Sequence, residues 1–338
     1  MIAYQWCEAL SPDDRDEVLA LVRLAAAYDD EAGFSAISEE DVTGGDSRPE
    51  ASDSRFVDGA RVLHLPIRAR RDLGSGPDVP WVVVAYLHLT VGVDGLGVVQ
   101  FVVHPEYRSR GIATQLVEEL GLDVDADGGW AGTGARALRA WAYGSHPASE
   151  RLTSRFGVPA VSRLWTLLRH LSGPWAEPLP DTNLPEPYRI DPPRPVGDPA
   201  VAAAVDAVLG DASLPEPYRE KLSATSPSEL AMTATDGTGR AVGVAWYDPT
   251  LRVREELRAA WIGALVVTAA ARGSGLAFAL LVQVLAELRE AGAQLALMRI
   301  DPDDERALRM CRLLSFEQDE AHACFQVGHW SGPVRFVQ

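Results

Sequence analysis

Two short turns of this chain carry residues able to hold a polyanion. In the first, the apolar run Val98–Val103 meets His104-Pro105-Glu106-Tyr107-Arg108-Ser109-Arg110-Gly111-Ile112-Ala113, and a helix is expected from Thr114 to Leu120. The leading N–H groups of a helix lack intrahelical acceptors and carry partial positive charge, so such a start is a ready phosphate site. Gly111 and Ala113 are small, which lets a phosphate reach the main chain. In the second turn, Trp261–Val267 leads through Ala271-Arg272-Gly273-Ser274-Gly275-Leu276-Ala277 into a helix expected over Phe278–Glu290 and closed by Gly292. The spelling is neither a P-loop nor a dinucleotide fingerprint. Strand-to-helix turns that need glycine only for packing are the plain alternative. Arg108 and Arg272, at the same offset from Gly111 and Gly275, argue against it.

The elements that must position these turns repeat as well. Before the first turn, a helix is expected over Arg15–Tyr28, a polar loop over 38–60, and strands over Arg61–Arg68 and Trp81–Leu89. Trp81-Val82-Val83-Val84-Ala85-Tyr86 is apolar on both faces, as a central strand must be. After it come a loop over 124–134, strand Ala135–Tyr143, helix Pro147–Arg155 and strand Arg163–Leu168. The proline-rich stretch 172–199 reads as a linker or as a strap lying across one domain. Then follow helix Ala200–Leu209, strands Glu229–Thr235 and Ala241–Tyr247, the second turn with its strand and helix, strand Leu295–Ile300 and helix Asp304–Leu314. The halves share one element order, which implies a duplicated α/β domain. Leu-Pro-Glu-Pro-Tyr-Arg at 184–189 and 214–219 is too little to make a repeat protein.

Length and composition bound the class. The 338 residues suit two domains, each able to bury its own core. Hydrophobic content of 47% and charged content of 23% are those of a soluble globular protein. There is no apolar run of membrane-span length, and Met1-Ile2-Ala3-Tyr4 has no signal-peptide character. Cys7, Cys311 and Cys324 form neither a metal spacing nor a disulfide framework, so a cytoplasmic protein is expected. The net charge of −17 argues against nucleic-acid and membrane partners and favours a cationic substrate such as an amine. A polyanion would then need local cations, for which Arg108, Arg110 and Arg272 are the candidates. A monomer is expected.

The first turn resembles the acyl-CoA pyrophosphate loop of the GNAT superfamily of N-acetyltransferases. Further stretches narrow the resemblance: Leu10-Ser11-Pro12-Asp13-Asp14-Arg15, Trp141-Ala142-Tyr143-Gly144-Ser145-His146-Pro147-Ala148, Phe156-Gly157-Val158, Arg163-Leu164-Trp165 and Pro178-Leu179-Pro180. Together they resemble the mycothiol synthase family of actinobacteria, over nearly the whole chain. The resemblance implies two tandem GNAT domains, residues 1–172 and 189–338, joined by a linker at 173–188. Each would be a mixed, mostly antiparallel twisted sheet flanked by helices. It implies acetyl-CoA as cosubstrate, held by Phe101, Val102, Val103 and Ser109 to Thr114 in the first half. In the second half the counterparts are Leu265, Val266, Val267 and Arg272 to Phe278. It also implies that the second half does the chemistry.

There the sequence departs from the family run Asn-x-x-Ala-x-x-x-Tyr-x-x-Leu-Gly-Phe. Asp304, Ala307, Cys311, Leu314, Ser315 and Phe316 hold those places. Cys311 thus stands where the resemblance puts a tyrosine acid for the leaving thiolate, and an unperturbed thiol pKa of roughly 8.5 suits that task. Thr153 holds the corresponding place in the first half. Trp261 stands where an acid is expected, Arg299 where a substrate-contacting tyrosine is expected, and Glu216 matches a substrate-binding acid. The expected activity is transfer of acetyl from acetyl-CoA to the amine of a small molecule. The alternatives are a divergent mycothiol synthase, acting on a cysteinyl-glucosaminyl-inositol, and a non-catalytic CoA-binding module.

Overall fold

The computed structural model describes residues 1–30, 37, 39–43, 59–70, 80–144, 147–212, 229–254, 256–332 and 334. The chain forms two compact units. Unit 1 comprises Met1–Arg163 and His322–Gln338, and unit 2 comprises Leu164–Ala321.

In unit 1, β1 (Ile2–Tyr4) is followed by α1 (Pro12–Asp30), the short α2 (Glu39–Thr43), β2 (Arg61–Arg70), β3 (Trp81–Val91), β4 (Leu96–Val103), α3 (Ile112–Leu120), β5 (Ala137–Ala142) and α4 (Pro147–Arg155). β3 is buried from Val83 to Val91, as its unbroken apolar run requires. Its neighbours β2 and β4 pair antiparallel with it, and β4 pairs parallel with β5. Val18, Leu21, Val22 and Ala25 of α1 recur at helical spacing and pack on Tyr86 and Val102. Ile112 and Leu116 of α3 pack in a second cluster with Leu65, Leu87 and Leu89. Each of these two clusters thus joins a helix to the sheet.

In unit 2, β6 (Ala160–His170), counted from Leu164, precedes β7 (Arg189–Ile190), β8 (Arg194–Pro195), α5 (Pro199–Asp211), β9 (Leu230–Thr235), β10 (Ala241–Arg254), β11 (Leu257–Val267), α6 (Leu276–Glu290), β12 (Leu295–Ile300) and α7 (Glu305–Leu313). The ladder runs β6-β12-β11-β10-β9-β7, with β8 also on β9. Leu276, Leu280, Leu281, Val284, Leu285 and Leu288 of α6 pack on Tyr247, Ile262, Ala296 and Met298. Val201, Val205, Val208 and Leu209 of α5 pack on Val244 and Trp246. The prolines lie along unit 2 as a strap, with Leu179, Leu184 and Tyr188 against its core.

Several elements differ from those expected. The chain closes in β13 (Glu317–Val327), which the sequence reading lacked because it opens on Glu317-Gln318-Asp319-Glu320. From Ala323 it pairs antiparallel with β5. Ion pairs compensate its acids: Arg254 meets Asp319 at 2.5 Å and Glu320 at 2.8 Å. α3 and α6 begin two residues early, at Ile112 and Leu276. β10 runs through Asp248-Pro249-Thr250 to Arg254 instead of stopping at Tyr247. Glu39–Thr43 is helical where a loop was expected, and most of the remaining 38–60 segment lies outside the described residues.

Candidate active site

In each unit two parallel strands part company at one point. β4 pairs with β5 from Leu96↔Ala137 to Val99↔Ala140, and β11 pairs with β12 from Ala259↔Leu295 to Ile262↔Met298. Beyond those pairs β4 and β11 remain on β3 and β10, so a fork opens. His104 N–H donates to Val84 and Thr268 N–H donates to Val242, both on the closed side. N–H groups alternate in direction along a strand. Those of Phe101, Val103, Leu265 and Val267 therefore point into the forks. They can hold a thioester arm and stabilise an oxyanion there.

Unit 2 adds a bulge. Trp246 pairs with Ala264 and Tyr247 with Ile262, so Gly263 is the extra residue, at the mouth of the fork. Gly263 is exposed even though β11 is an interior strand. A Cβ there would stand 3.1 Å from Trp246 Nε1, so a side chain would crowd the sheet. In unit 1 β3 and β4 pair without a break from Ala85↔Val103 to Val91↔Gly97.

Each fork ends at an open helix start. Gly111 (φ 80°) and Gly275 (φ 89°) sit in the left-handed region just before α3 and α6, as do Ser109 (φ 61°) and Gly273 (φ 79°). Cβ atoms placed on Gly111, Gly273 or Gly275 would meet nothing within 4 Å, so the space over the loops is clear. The first ladder bonds run from Gln115 to Gly111 and from Ala279 to Gly275. The N–H groups of Ile112, Ala113 and Thr114, and of Ala277 and Phe278, lie ahead of those bonds and face an incoming anion. Leu276 N–H is taken by Ser274 Oγ at 3.3 Å. The side chains of Ile112 and Leu276 are buried in the core, as is that of Val102, while Val266 packs beside α5. Their share in a phosphate or thioester site is therefore main-chain.

The motif arginines do not stand over the loops. Arg108 pairs with both carboxylate oxygens of Asp29, at 2.5 and 2.9 Å, and donates to Val103 C=O. Arg272 donates to Ala212 C=O at the end of α5. Both brace their turns, and Asp29 offsets the charge of Arg108. Arg110 is exposed, its guanidinium 5.0 Å from the Tyr107 ring centre.

The side chains expected to do proton chemistry fare differently. Cys311 is wholly buried in the unit 2 core, with Sγ 3.7 Å from Met298 Sδ. Burial, with Asp304 adding to it, pushes its thiol up to about 12. Its place three residues after Leu308 on α7 put it on the inward face. A thiol closed off in this way cannot reach a departing thiolate, which corrects the acid role. Glu216 and His146 lie outside the described residues. Thr153 donates its hydroxyl to Ser149 and Glu150 carbonyls of its own helix. His104 caps the turn after β4 by accepting from Glu106 N–H. Asp304 caps α7 by accepting from Ala307 N–H at 3.0 Å.

The sequence reading missed three features of the site. The Gly263 bulge and the Arg108–Asp29 clamp depend on pairing between distant segments, which local pattern does not carry. The third is the stacking of Arg299 on Trp261, with 4.4 Å from guanidinium carbon to ring centre. Trp261 and Arg299 lie on different strands, so nothing in the local pattern marks them as partners.

A forked sheet with an open, glycine-capped helix start, built twice, is the tandem GNAT acyltransferase arrangement. Comparison with known proteins agrees: residues 203–316 match the acetyltransferase (GNAT) family. A tandem GNAT protein from the clavulanic acid biosynthesis pathway superposes with a TM-score of 0.59 at 19% identity, covering 98% of this chain and all (100%) of that one. A GCN5-related N-acetyltransferase from Sphaerobacter thermophilus gives 0.56 at 19%, covering 96% and 95%. The chain is an N-acetyltransferase with acetyl-CoA as acetyl donor, and its fold is that of tandem GNAT proteins. Within that class it is similar to the mycothiol acetyltransferases. It is 29% identical to that of Saccharomonospora viridis over 96% of this chain and 99% of the relative. It is 28% identical to that of Salinispora tropica over 93% and 98%.

Proposed function

We propose that unit 2 is the catalytic half, acetylating the amine of a small molecule. The carrying observation is the Gly263 bulge at the fork of β11 and β12, which unit 1 lacks. Acetyl-CoA supplies an activated acetyl group, and the chain's own task is to position it. The N–H groups of Ala277 and Phe278, within the loop from Arg272 to Phe278, receive the phosphates. Leu265 and Val267 N–H groups face the reacting carbonyl. The corresponding loop of unit 1, Ser109 to Thr114 below Phe101 and Val103, has the same open geometry and would bind the same phosphates.

A divergent mycothiol synthase is the second reading, and the full-length similarity to mycothiol acetyltransferases favours it. Trp261, Arg299 and buried Cys311, each at a place where that family holds another residue, favour a different acceptor. In either case we propose a cytoplasmic monomer, in keeping with three unpaired cysteines. Among the described residues no helix is long and apolar enough to cross a membrane. The test is release of CoA thiol from acetyl-CoA with a panel of amines that includes the cysteinyl-glucosaminyl-inositol. Turnover confined to that compound selects the second reading, and turnover with simpler amines selects the first.

A further inference from the structure

Transfer of acetyl to an amine needs a base. The acceptor reaches the fork as an ammonium ion, and its nitrogen cannot attack until a proton has left. The N–H groups of Leu265 and Val267 can only donate, so the base must be a side chain.

The Gly263 bulge leads to one. Glu229 stands just before β9, two residues ahead of Ala231, and Ala231 pairs with Trp246. Side chains two apart on a strand share a face, so Glu229 and Trp246 lie on the same side of the sheet. The indole N–H of Trp246 donates to Glu229 Oε2 at 3.1 Å. The same Nε1 is the atom that a Cβ on Gly263 would meet at 3.1 Å. One indole edge therefore links the fork mouth to a carboxylate. Trp246 is 3% exposed and packed under α5, which holds its ring in place. The Glu229 main chain is fixed too, its C=O accepting from Val196 N–H at 3.0 Å. Glu229 itself is half-buried. A carboxylate offers about four acceptor sites, so it can be held by neighbours such as Trp246 and still receive a proton. Charged groups on the flanking strands have partners of their own: Arg194 of β8 meets Asp198 at 3.9 Å, and Asp248 of β10 meets Arg252 at 3.5 Å.

Unit 1 lacks this acid. The His104 and Thr268 N–H groups, donating to Val84 and Val242, mark equivalent places in β3 and β10. Four residues on stand His88 and Trp246, opposite His64 and Ala231. Two residues before those come Val62 and Glu229. An apolar side chain thus holds in unit 1 the place that the carboxylate holds in unit 2.

We propose that Glu229, oriented by Trp246, is the base that takes the proton from the acceptor's ammonium group, directly or through one water. This rests on unit 2 being the catalytic half. The neutral amine then adds to the thioester carbon in the fork. As the C–S bond breaks, the nitrogen loses its second proton, and the leaving sulfur gains one through solvent. Glu229 returns its own proton to water when the product departs.

The experiment uses the full chain and an amine accepted in the CoA-release panel. Glu229→Gln should lower kcat by about a hundredfold or more near neutral pH, with acetyl-CoA affinity by calorimetry within about twofold. The loss should shrink between about pH 6 and 9, because more of the amine is then neutral before it binds. Glu229→Asp should recover part of the rate, and Trp246→Phe, which removes the indole N–H, should cost about tenfold in kcat. Gly275→Glu tests the catalytic half itself. If Gly275→Glu keeps its turnover, unit 2 is not that half, and the base assignment falls with it. If Gly275→Glu loses turnover while Glu229→Gln stays within about threefold, the base assignment alone fails. A loss of equal size at every pH in Glu229→Gln marks a structural role and would also overturn the proposal.

Discussion

Arg108 grips Asp29 through two parallel N–H···O bonds, 2.5 and 2.9 Å long, across 79 positions of sequence. The pair ties the first anion loop to the end of α1, and the Tyr28 ring lies 5.2 Å from the same guanidinium. Asp29 is buried and Arg108 half-buried, so removing the carboxylate leaves a partly desolvated cation. Asp29→Ala should lower unfolding stability by about 3 kcal/mol, with Arg108→Ala similar. The double variant should cost less than the two losses added together. Denaturant midpoints test this, and additive losses would show that the two side chains do not depend on each other.

Cys311 offers a second check. As a core residue, Cys311→Ala should cost about 1–2 kcal/mol and leave turnover within about twofold. Cys311→Tyr adds volume to a filled site and should cost more. In the folded chain this thiol should resist alkylation, because it is buried and its ionisation is pushed up to about 12. A hundredfold fall in turnover of a folded Cys311→Ala protein would restore the acid role.

Unit 1 should be sensitive to mild acid. His64 and His88 face each other across β2 and β3, and His64 Nδ1 lies 2.5 Å from Tyr86 Oη. Burial first, then the neighbouring His88, pulls His64 from 6.5 down to about 4. Between those values the unfolded chain binds a proton that the folded chain does not. Stability therefore falls as pH drops from 6.5 to 4, by about 1.4 kcal/mol per unit and about 3 kcal/mol in all. Asp14 acts lower down: hydrogen bonds from Ser11 and Arg68 hold it below 3.8, and its contribution is lost under that pH. Unfolding midpoints across pH 7 to 4 should show the slope, and His64→Gln should flatten it. An equal slope in that variant would contradict the assignment.

The parts of this molecule that were legible in the sequence are the local ones. Val98–Val103 and Trp261–Val267 announced strands, and Gly111 and Gly275 announced the helix starts, because apolar runs and left-handed glycines act on their own neighbourhood. The helices simply begin two residues sooner, since the glycine itself is the cap. What stayed hidden is non-local. Nothing near Ala323–Val327 says that these residues pair with β5, almost two hundred positions earlier. Arg108 reads as a phosphate ligand until Asp29 is brought beside it. Cys311 was nearer to being readable: three residues after Leu308, on a helix with polar Glu305, Arg309 and Arg312 on its other faces, it belongs to the apolar side.

We propose that the second fork and its loop carry out the acetyl transfer. Gly275→Glu tests it most directly, because it puts a strained residue and a negative charge where the N–H groups of Ala277 and Phe278 await phosphate. Gly275→Ala serves as the control, since its Cβ meets nothing within 4 Å. CoA release with an accepted amine should fall by a factor on the order of a hundred or more in Gly275→Glu and by less than about tenfold in the alanine control. Gly111→Glu should weaken acetyl-CoA binding to unit 1 with a much smaller loss of turnover. Turnover that survives Gly275→Glu and disappears in Gly111→Glu would contradict the account.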